Sequence, residues 1–240
     1  MEARKKNYIV GKDYLYNCAK RLMGQEKVEK SAYVEFEQIH KRGTLSPIDP
    51  KIMTREESEK VLRSIVLTKM KASGECKTRT VADGSQQRGT VKDEDKTSPT
   101  VSLQAILLTS IIDAKERRFV VTMDIPNAFL HSNLPLDEQV IMRLVGELAE
   151  IMVKLAPEIY RKYVVLERGK KVLYVKLHKA LYGLLTAALL FYEKLSGDLV
   201  NDGFEINPYD PCVANKMVNG EQLTVIWHVD DLKAARLSSA

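Results

Sequence analysis

The chain has 240 residues, 45% of them hydrophobic and 29% charged, which is enough apolar content for one substantial core or for a domain with a smaller lobe attached. No apolar run approaches the roughly 20 residues that span a bilayer, and the opening MEARKKNYIVGKDY is too polar for a signal peptide, so a soluble intracellular chain with no membrane partner is expected. The net charge of +5 is uneven: residues 1–100 carry 21 Lys and Arg against 15 Asp and Glu, residues 101–240 carry 16 against 17. That asymmetry suits a basic lobe for polyanions beside a lobe that holds carboxylates; a mildly basic surface is the plainer reading. Cys18, Cys76 and Cys212 lie far apart, without zinc-site spacing, and are expected as reduced thiols.

In chain order, residues 1–45 read as helical. Residues 46–53, SPIDPKIM, carry two prolines and read as a connector. Thr54 with Glu57 predicts a capping box and a short helix. Residues 62–71, LRSIVLTKMK, and 76–82, CKTRTVA, predict a basic hairpin turning at Gly74. Residues 83–97 read as a loop. Ser98-Pro99 reads as a helix start, with serine as cap and proline in the first turn, followed by Val101, Ala105, Leu108 and Ile112 at helical spacing. Residues 119–125, FVVTMDI, read as a buried strand that Pro126 ends; residues 172–177, VLYVKL, read as another. A helix is expected over about 184–200, with Ala188, Tyr192, Leu195 and Leu199 on one face and Asn201-Asp202-Gly203 at its end. Residues 212–218 and 222–229 flank Asn219-Gly220, a strong hairpin signal. The second of these strands runs into Asp230-Asp231, which predicts paired aspartates at a tight turn before a further strand.

Helices interleaved with hairpins give an α+β fold with an antiparallel sheet, since the regular strand–helix alternation of a doubly wound fold is missing. The expected division is 1–59, an upstream helical segment; 60–100, a basic hairpin and loop; and 101–240, the lobe with the sheet.

Two features carry chemistry: Asp124 and the Asp230-Asp231 pair, each closing a hydrophobic strand in which aspartate is otherwise disfavoured. Magnesium takes oxygen ligands, commonly one or two carboxylates plus substrate phosphates. Two such ions about 3.5–4 Å apart stabilise the attacking and leaving oxygens of a phosphoryl transfer. Carboxylates on adjacent strand ends would hold them. The two positions lie 106 residues apart, so their meeting is not given by sequence, and an Asp-Asp pair alone is more often a solvated turn.

The neighbouring residues change that balance. VVTMDIPNAFLHS around Asp124 resembles the catalytic motif of copia-type retrotransposon reverse transcriptases, an aspartate followed by Asn-Ala-Phe-Leu-His. KALYGLLTAALLFY (179–192) resembles that family's Leu-Tyr-Gly segment, GFEINPYD (203–210) its Gly-Phe…Asp stretch, and WHVDD (227–231) its aromatic and paired aspartates. KTRTVADG and TSPTVSLQAILL resemble its finger strand and Ser-Pro helix start. The likeness covers roughly residues 60–237, in order and with agreeing spacings.

The resemblance implies a right-hand polymerase with 60–100 as fingers-like hairpin and 101–240 as palm, ending without a thumb. It implies RNA-directed DNA polymerisation: a primer 3′-hydroxyl attacks a deoxynucleoside triphosphate on an RNA or DNA template. Asp124, Asp230 and Asp231 would be the catalytic carboxylates and, with the Ile125 carbonyl, the ligands of two Mg2+ ions, for which Mn2+ is a possible substitute. Phe129 would select deoxynucleotides by excluding a 2′-hydroxyl; Lys77 and Arg79 would neutralise the triphosphate; Tyr182 and Gly183 would line the nucleotide pocket. Taken singly, Phe129 and Tyr182 read as packing residues and Lys77 and Arg79 as a solvated basic strand. Template–primer duplex, dNTPs and other segments of a polyprotein are the implied partners. A cytoplasmic virus-like particle or the nucleus is the implied location, with no targeting signal in the sequence.

Three features depart from the pattern: His228 stands where the family has an aromatic residue, most often tyrosine; Leu184–Leu190, LLTAALL, lacks the usual Lys-Gln and Ala-Pro-Arg; and the sequence stops nine residues after Asp231. They favour an alternative, an inactive truncated or decayed remnant that folds and binds nucleic acid weakly, and they suggest a sheet edge left unpaired. A nucleotide cyclase would want glycine near the acidic turn, and His-Val-Asp-Asp has none.

Overall fold

The computed structural model describes residues 8–89, 91–136 and 138–237; residues 1–7 of the expected helical start lie outside them. In chain order the elements are β1 (Asp13–Leu15), α1 (Tyr16–Met23), α2 (Gln25–Lys41), β2 (Leu45–Pro47), α3 (Arg55–Glu59), β3 (Leu62–Met70), β4 (Cys76–Ala82), α4 (Leu103–Glu116), β5 (Phe119–Asp124), β6 (Ile141–Val145), α5 (Glu147–Leu155), α6 (Pro157–Tyr160), β7 (Val164–Glu167), β8 (Lys170–Leu177), α7 (Ala187–Asn201), β9 (Glu205–Ile206), β10 (Val213–Val218), β11 (Glu221–His228) and β12 (Asp231–Arg236). The mixed α+β class expected from sequence is observed. Among the described residues, no helix is long and apolar enough to cross a membrane.

The elements form two units: one from the described residues of 1–90 and 133–185, the other from those of 91–132 and 186–240. These units cut the chain differently from the contiguous division 1–59, 60–100 and 101–240, because β6 and β8 pair into the sheet that carries β3.

The first unit holds a seven-stranded sheet in the order β1-β3-β6-β8-β2, with β4 on β3 and β7 on β8. One pair is parallel, β3 with β6 at Leu62–Met142 and Arg63–Arg143; the rest are antiparallel. Phe36 and Ile39 of α2 and Met142, Leu144, Leu173 and Leu177 of the sheet are among its buried side chains. The capping box is present: Glu57 N–H donates to Thr54 Oγ1 at 3.1 Å and Thr54 N–H to Glu57 Oε2 at 2.7 Å. The basic hairpin forms as expected, with Lys69 opposite Lys77 and Leu67 opposite Arg79.

The second unit is an antiparallel meander in the order β5-β12-β11-β10-β9. Asn219 (φ 53°) and Gly220 (φ 82°) both take left-handed backbone, the requirement of the tight turn joining β10 to β11. Its core gathers Val101, Phe204, Cys212, Val213, Ile226 and Trp227, with Tyr192, Leu195 and Leu199 of α7 packed against it. Burial, assisted by the Asp210 charge, pushes the Cys212 thiol up to about 12. All three cysteines are free thiols, as expected.

Several local expectations need correction. α4 begins at Leu103, capped by Ser102 rather than Ser98: Ser102 Oγ accepts the Ala105 N–H at 3.1 Å, and the Ser102 N–H donates to Asp210 at 2.9 Å. Val101 is buried ahead of the helix, while Leu108 is 60% exposed; the face turned inward carries Ala105, Ile106 and Asp113. β5 is not buried: all six of its residues are exposed, and it lies at one end of its sheet with β12 as its partner. α7 starts at Ala187, not 184, and the loop 83–97 contains 3-10 turns at Gly84–Gln87 and Glu94–Lys96. β1 and β2 interrupt the expected helical segment and connector, drawn into the sheet by β3 and β8, and β6, α5, α6, β7 and β9 have no counterpart in the sequence reading.

Candidate active site

In the second unit the carboxylates separated by sequence meet. Asp124, last residue of β5, lies directly opposite Asp231, first residue of β12. Asp231 is in turn opposite His228, last residue of β11. Residues directly opposite on antiparallel strands share a sheet face, with Cβ atoms about 4.5–5.5 Å apart. His228, Asp231 and Asp124 therefore form one row across three strands. Asp230 sits in the two-residue turn between β11 and β12, and its carbonyl accepts the Ile125 N–H at 3.0 Å. That bond ties the turn to the backbone just after Asp124. The turn is strained: Val229 takes φ 57°, a conformation costly for a β-branched side chain and of the kind that collects at functional sites.

Asp124 and Asp231 are exposed and Asp230 is half-buried. Among the described residues, none of the three carboxylates has a side-chain hydrogen bond or ion pair. Like charges directly opposite each other disfavour the pairing, so the row has chemical reason to bind a cation. The donors of its carboxylates are oxygens, the set that suits Mg2+ or Mn2+. No group of three or more His, Cys, Asp or Glu among the described residues converges into a metal cage. The protein offers a carboxylate pair and a neighbour, with room for other oxygen ligands.

A cleft of about 510 Å³ adjoins Asp124 and Asp231, lined mainly by apolar groups including Val101, Ile106, Met123, Trp227 and Leu232. The cation lining it, Lys233, is already engaged: its Nζ lies 2.7 Å from the buried Asp113 and 3.0 Å from Thr109 Oγ1. Lys233 lies two residues beyond Asp231 on one strand, a spacing that marks a shared face, and was missed in the sequence. Phe129 lies in a 3-10 turn, Ala128–His131, entered through left-handed Asn127. Its ring meets Phe191 of α7 edge-on at 6.2 Å, so part of its role is packing.

The remaining candidates are assembled in the first unit. Lys77 is exposed and Arg79 half-buried on β4. The Arg79 guanidinium lies over the Tyr182 ring, 5.2 Å from its centroid. The Ala82 N–H donates to the Tyr182 carbonyl at 2.7 Å. Gly183 has φ 91°, and a Cβ there would stand 2.1 Å from the Ala82 carbonyl oxygen. A Cβ on Gly84 would stand 2.1 Å from the Gly183 oxygen. Both glycines are required by close backbone approach; only Gly183 was singled out from sequence. Behind this strand the Glu35 carboxylate accepts the Thr80 N–H at 2.8 Å. Burial raises its carboxyl above the usual glutamate range, against the lowering pull of that bond and of Arg79 and Lys77.

A family model described as reverse transcriptase (RNA-dependent DNA polymerase) matches residues 57–238. A retrovirus-related Pol polyprotein from transposon TNT 1-94 of Nicotiana tabacum is 25% identical over 214 residues, which is 87% of this chain and 14% of that protein. The chain thus spans about a seventh of the length of the relative it matches.

Proposed function

The chain belongs to the reverse transcriptase (RNA-dependent DNA polymerase) family, in its copia-type branch, and from that premise we propose that it is the polymerase segment of a retrotransposon Pol polyprotein. It extends a primer with deoxynucleotides on an RNA or DNA template. The observation that carries this reading is the register placing Asp124 opposite Asp231, with Asp230 tied to Ile125.

Asp124, Asp230, Asp231 and the Ile125 carbonyl would hold two Mg2+ ions, or Mn2+ in their place. When bound, such ions neutralise phosphate charge and favour the ionised primer hydroxyl. The chain's own groups do the rest. Arg79 and Lys77 offset charge on the β- and γ-phosphates. Tyr182 and Gly183 form part of the nucleotide pocket. Phe129 excludes a 2′-hydroxyl, its ring braced by Phe191. Contacts to the template–primer duplex run to its backbone, and base pairing reads sequence. In this reading the hairpin within residues 60–100 belongs to the fingers and the strands that carry the aspartates belong to the palm, other polyprotein segments are neighbours, and the work is done in cytoplasmic particles or the nucleus.

A second reading, a folded remnant without activity, is favoured by His228 standing opposite Asp231, where the family pattern has an aromatic residue. The experiment is dTTP incorporation on a primed RNA template with Mg2+, comparing the wild type with Asp124→Asn and His228→Tyr. Incorporation that disappears in Asp124→Asn supports the polymerase. Incorporation absent from the wild type and gained in His228→Tyr supports the remnant. Incorporation that survives in Asp124→Asn sinks the assignment of the carboxylates.

A further inference from the structure

We propose that Tyr182 is a positioning residue: its ring holds the Arg79 guanidinium in the orientation that receives the triphosphate of an incoming nucleotide. The proposal rests on the polymerase reading and adds to it the residue through which Arg79 works.

Arg79 projects from the edge strand β4, half-buried, and makes no salt bridge or side-chain hydrogen bond among the described residues. An arginine in that position would ordinarily sample many rotamers. Here the ring of Tyr182, 5.2 Å from the guanidinium carbon, removes that freedom. A planar guanidinium stacks on an aromatic face and still presents its N–H edge to phosphate, which a lysine ammonium does not do.

The backbone that carries the ring is itself fixed to the strand that carries Arg79. The Tyr182 carbonyl accepts the Ala82 N–H at 2.7 Å, three residues along β4 from Arg79. Gly183 and Gly84 press backbone to backbone with no space for a Cβ at either. Leu185 N–H reaches Gln87 Oε1 at 3.3 Å on the next turn. The backbones that carry cation and ring are therefore joined, and the contact between the two side chains orients the guanidinium before any nucleotide arrives. Preorganisation of this kind strengthens binding by removing an ordering cost.

The test is equilibrium binding of dTTP with Mg2+ to the full chain on a primer–template whose primer ends in a dideoxynucleotide. Tyr182→Leu is expected to weaken dTTP about tenfold, the scale of a partly desolvated cation–π contact. Tyr182→Phe, which keeps the ring, should restore most of it. Arg79→Lys keeps charge, leaves Tyr182 in place, and should weaken binding as Tyr182→Leu does. In an Arg79→Ala background, Tyr182→Leu should cost much less than it does beside Arg79. Additive losses in that double variant, or Tyr182→Phe as weak as Tyr182→Leu, would overturn the proposal. So would unchanged binding in Arg79→Lys. A wild type that binds dTTP but never extends an open primer sinks the polymerase reading alone. Normal extension with no effect of Tyr182→Leu sinks this proposal alone. A wild type that binds no dTTP sinks both.

Discussion

β4 and β5 are both edge strands and both carry candidate functional residues, yet their outer edges are treated in opposite ways. β4 pairs with β3 alone, and α2 covers its other side. Ser31 Oγ donates to the Cys76 carbonyl at 3.0 Å, and Glu35 accepts the Thr80 N–H at 2.8 Å. Thr78, Thr80 and Ala82 are buried beneath that cover. Among the described residues β5 pairs with β12 alone, and its own six residues are exposed. Phe119 is 65% exposed and Val121 54%, and Leu103, Leu107, Leu108 and Ile111 of α4 are exposed as well. An unpaired row of backbone groups is a template for another strand unless it is blocked. Side chains block β4; β5 is left open and apolar, a surface on which further chain can pair. A strand presenting a guanidinium gains from a stiff support, and the strand ending at Asp124 is held from one side only.

The difference can be tested, starting with the largest effect. Asp124→Asn should lower incorporation on the order of a thousandfold, since a lost metal ligand removes several kcal/mol of transition-state stabilisation. Because Asp124 is exposed, its denaturant midpoint should hardly move. A drop in both would mean that the residue acts through folding. At the covered edge, Gly183→Ala should destabilise by about 3–5 kcal/mol, combining backbone strain with overpacking against Ala82. Gly203→Ala is its control: φ is 86°, but only the Lys216 side chain lies within 4 Å, so about 1 kcal/mol is expected. Urea unfolding of the two variants separates lost space from lost backbone freedom, and equal costs would discard the close approach as the reason for Gly183.

Glu35 gives a smaller effect with a definite pH dependence. Glu35→Ala leaves the Thr80 N–H without its acceptor, costing about 1–3 kcal/mol. The raised folded-state value of Glu35 means the folded chain holds its proton more tightly than the unfolded chain. Its contribution is therefore complete below the ordinary glutamate value of about 4.3 and lost as pH rises through the folded value. Glu35→Gln keeps an accepting oxygen and should become progressively more stable than the wild type as pH rises above that range. Thermal melts at a series of pH values that ran parallel for the two proteins would rule this out. The smallest effect belongs to the open edge: Val121→Lys should change stability by less than about 0.5 kcal/mol while reducing self-association. Light scattering against concentration reads the latter, and unchanged association would show that the edge is not sticky.

Much of the local structure was legible because it is encoded locally. Thr54 and Glu57 form their capping box, Asn219-Gly220 makes its turn, and Cys76–Ala82 forms the strand read from it. The failures have longer-range causes. FVVTMDI reads as buried because hydrophobic content records what a strand can pack against, not whether a partner is there. Ser98 loses to Ser102 because Asp210, over a hundred residues away, holds the Ser102 N–H. The pairing of Asp124 with Asp231, the partnership of Lys233 with Asp113 and the stacking of Arg79 on Tyr182 are products of register and topology. No window of sequence contains both members of any of these pairs. The family resemblance supplied the aspartates; it did not supply His228 as the third residue of their row.

The meander β10-β11-β12 turns twice on two-residue loops, at Asn219-Gly220 and at Val229-Asp230. Side chains alternate with every residue, so parity along these strands decides which face each one occupies. A one-residue slip in the register of β11 or β12, such as an inserted residue that no bulge absorbs would cause, would send Asp231 to the face away from Asp124 while leaving composition and hydrophobicity nearly untouched. This hairpin is therefore forgiving of changes in letter and intolerant of changes in count. Single-residue length variants are its most damaging class of alteration, whereas the polar connector before α4 can lengthen or shorten without shifting any aspartate.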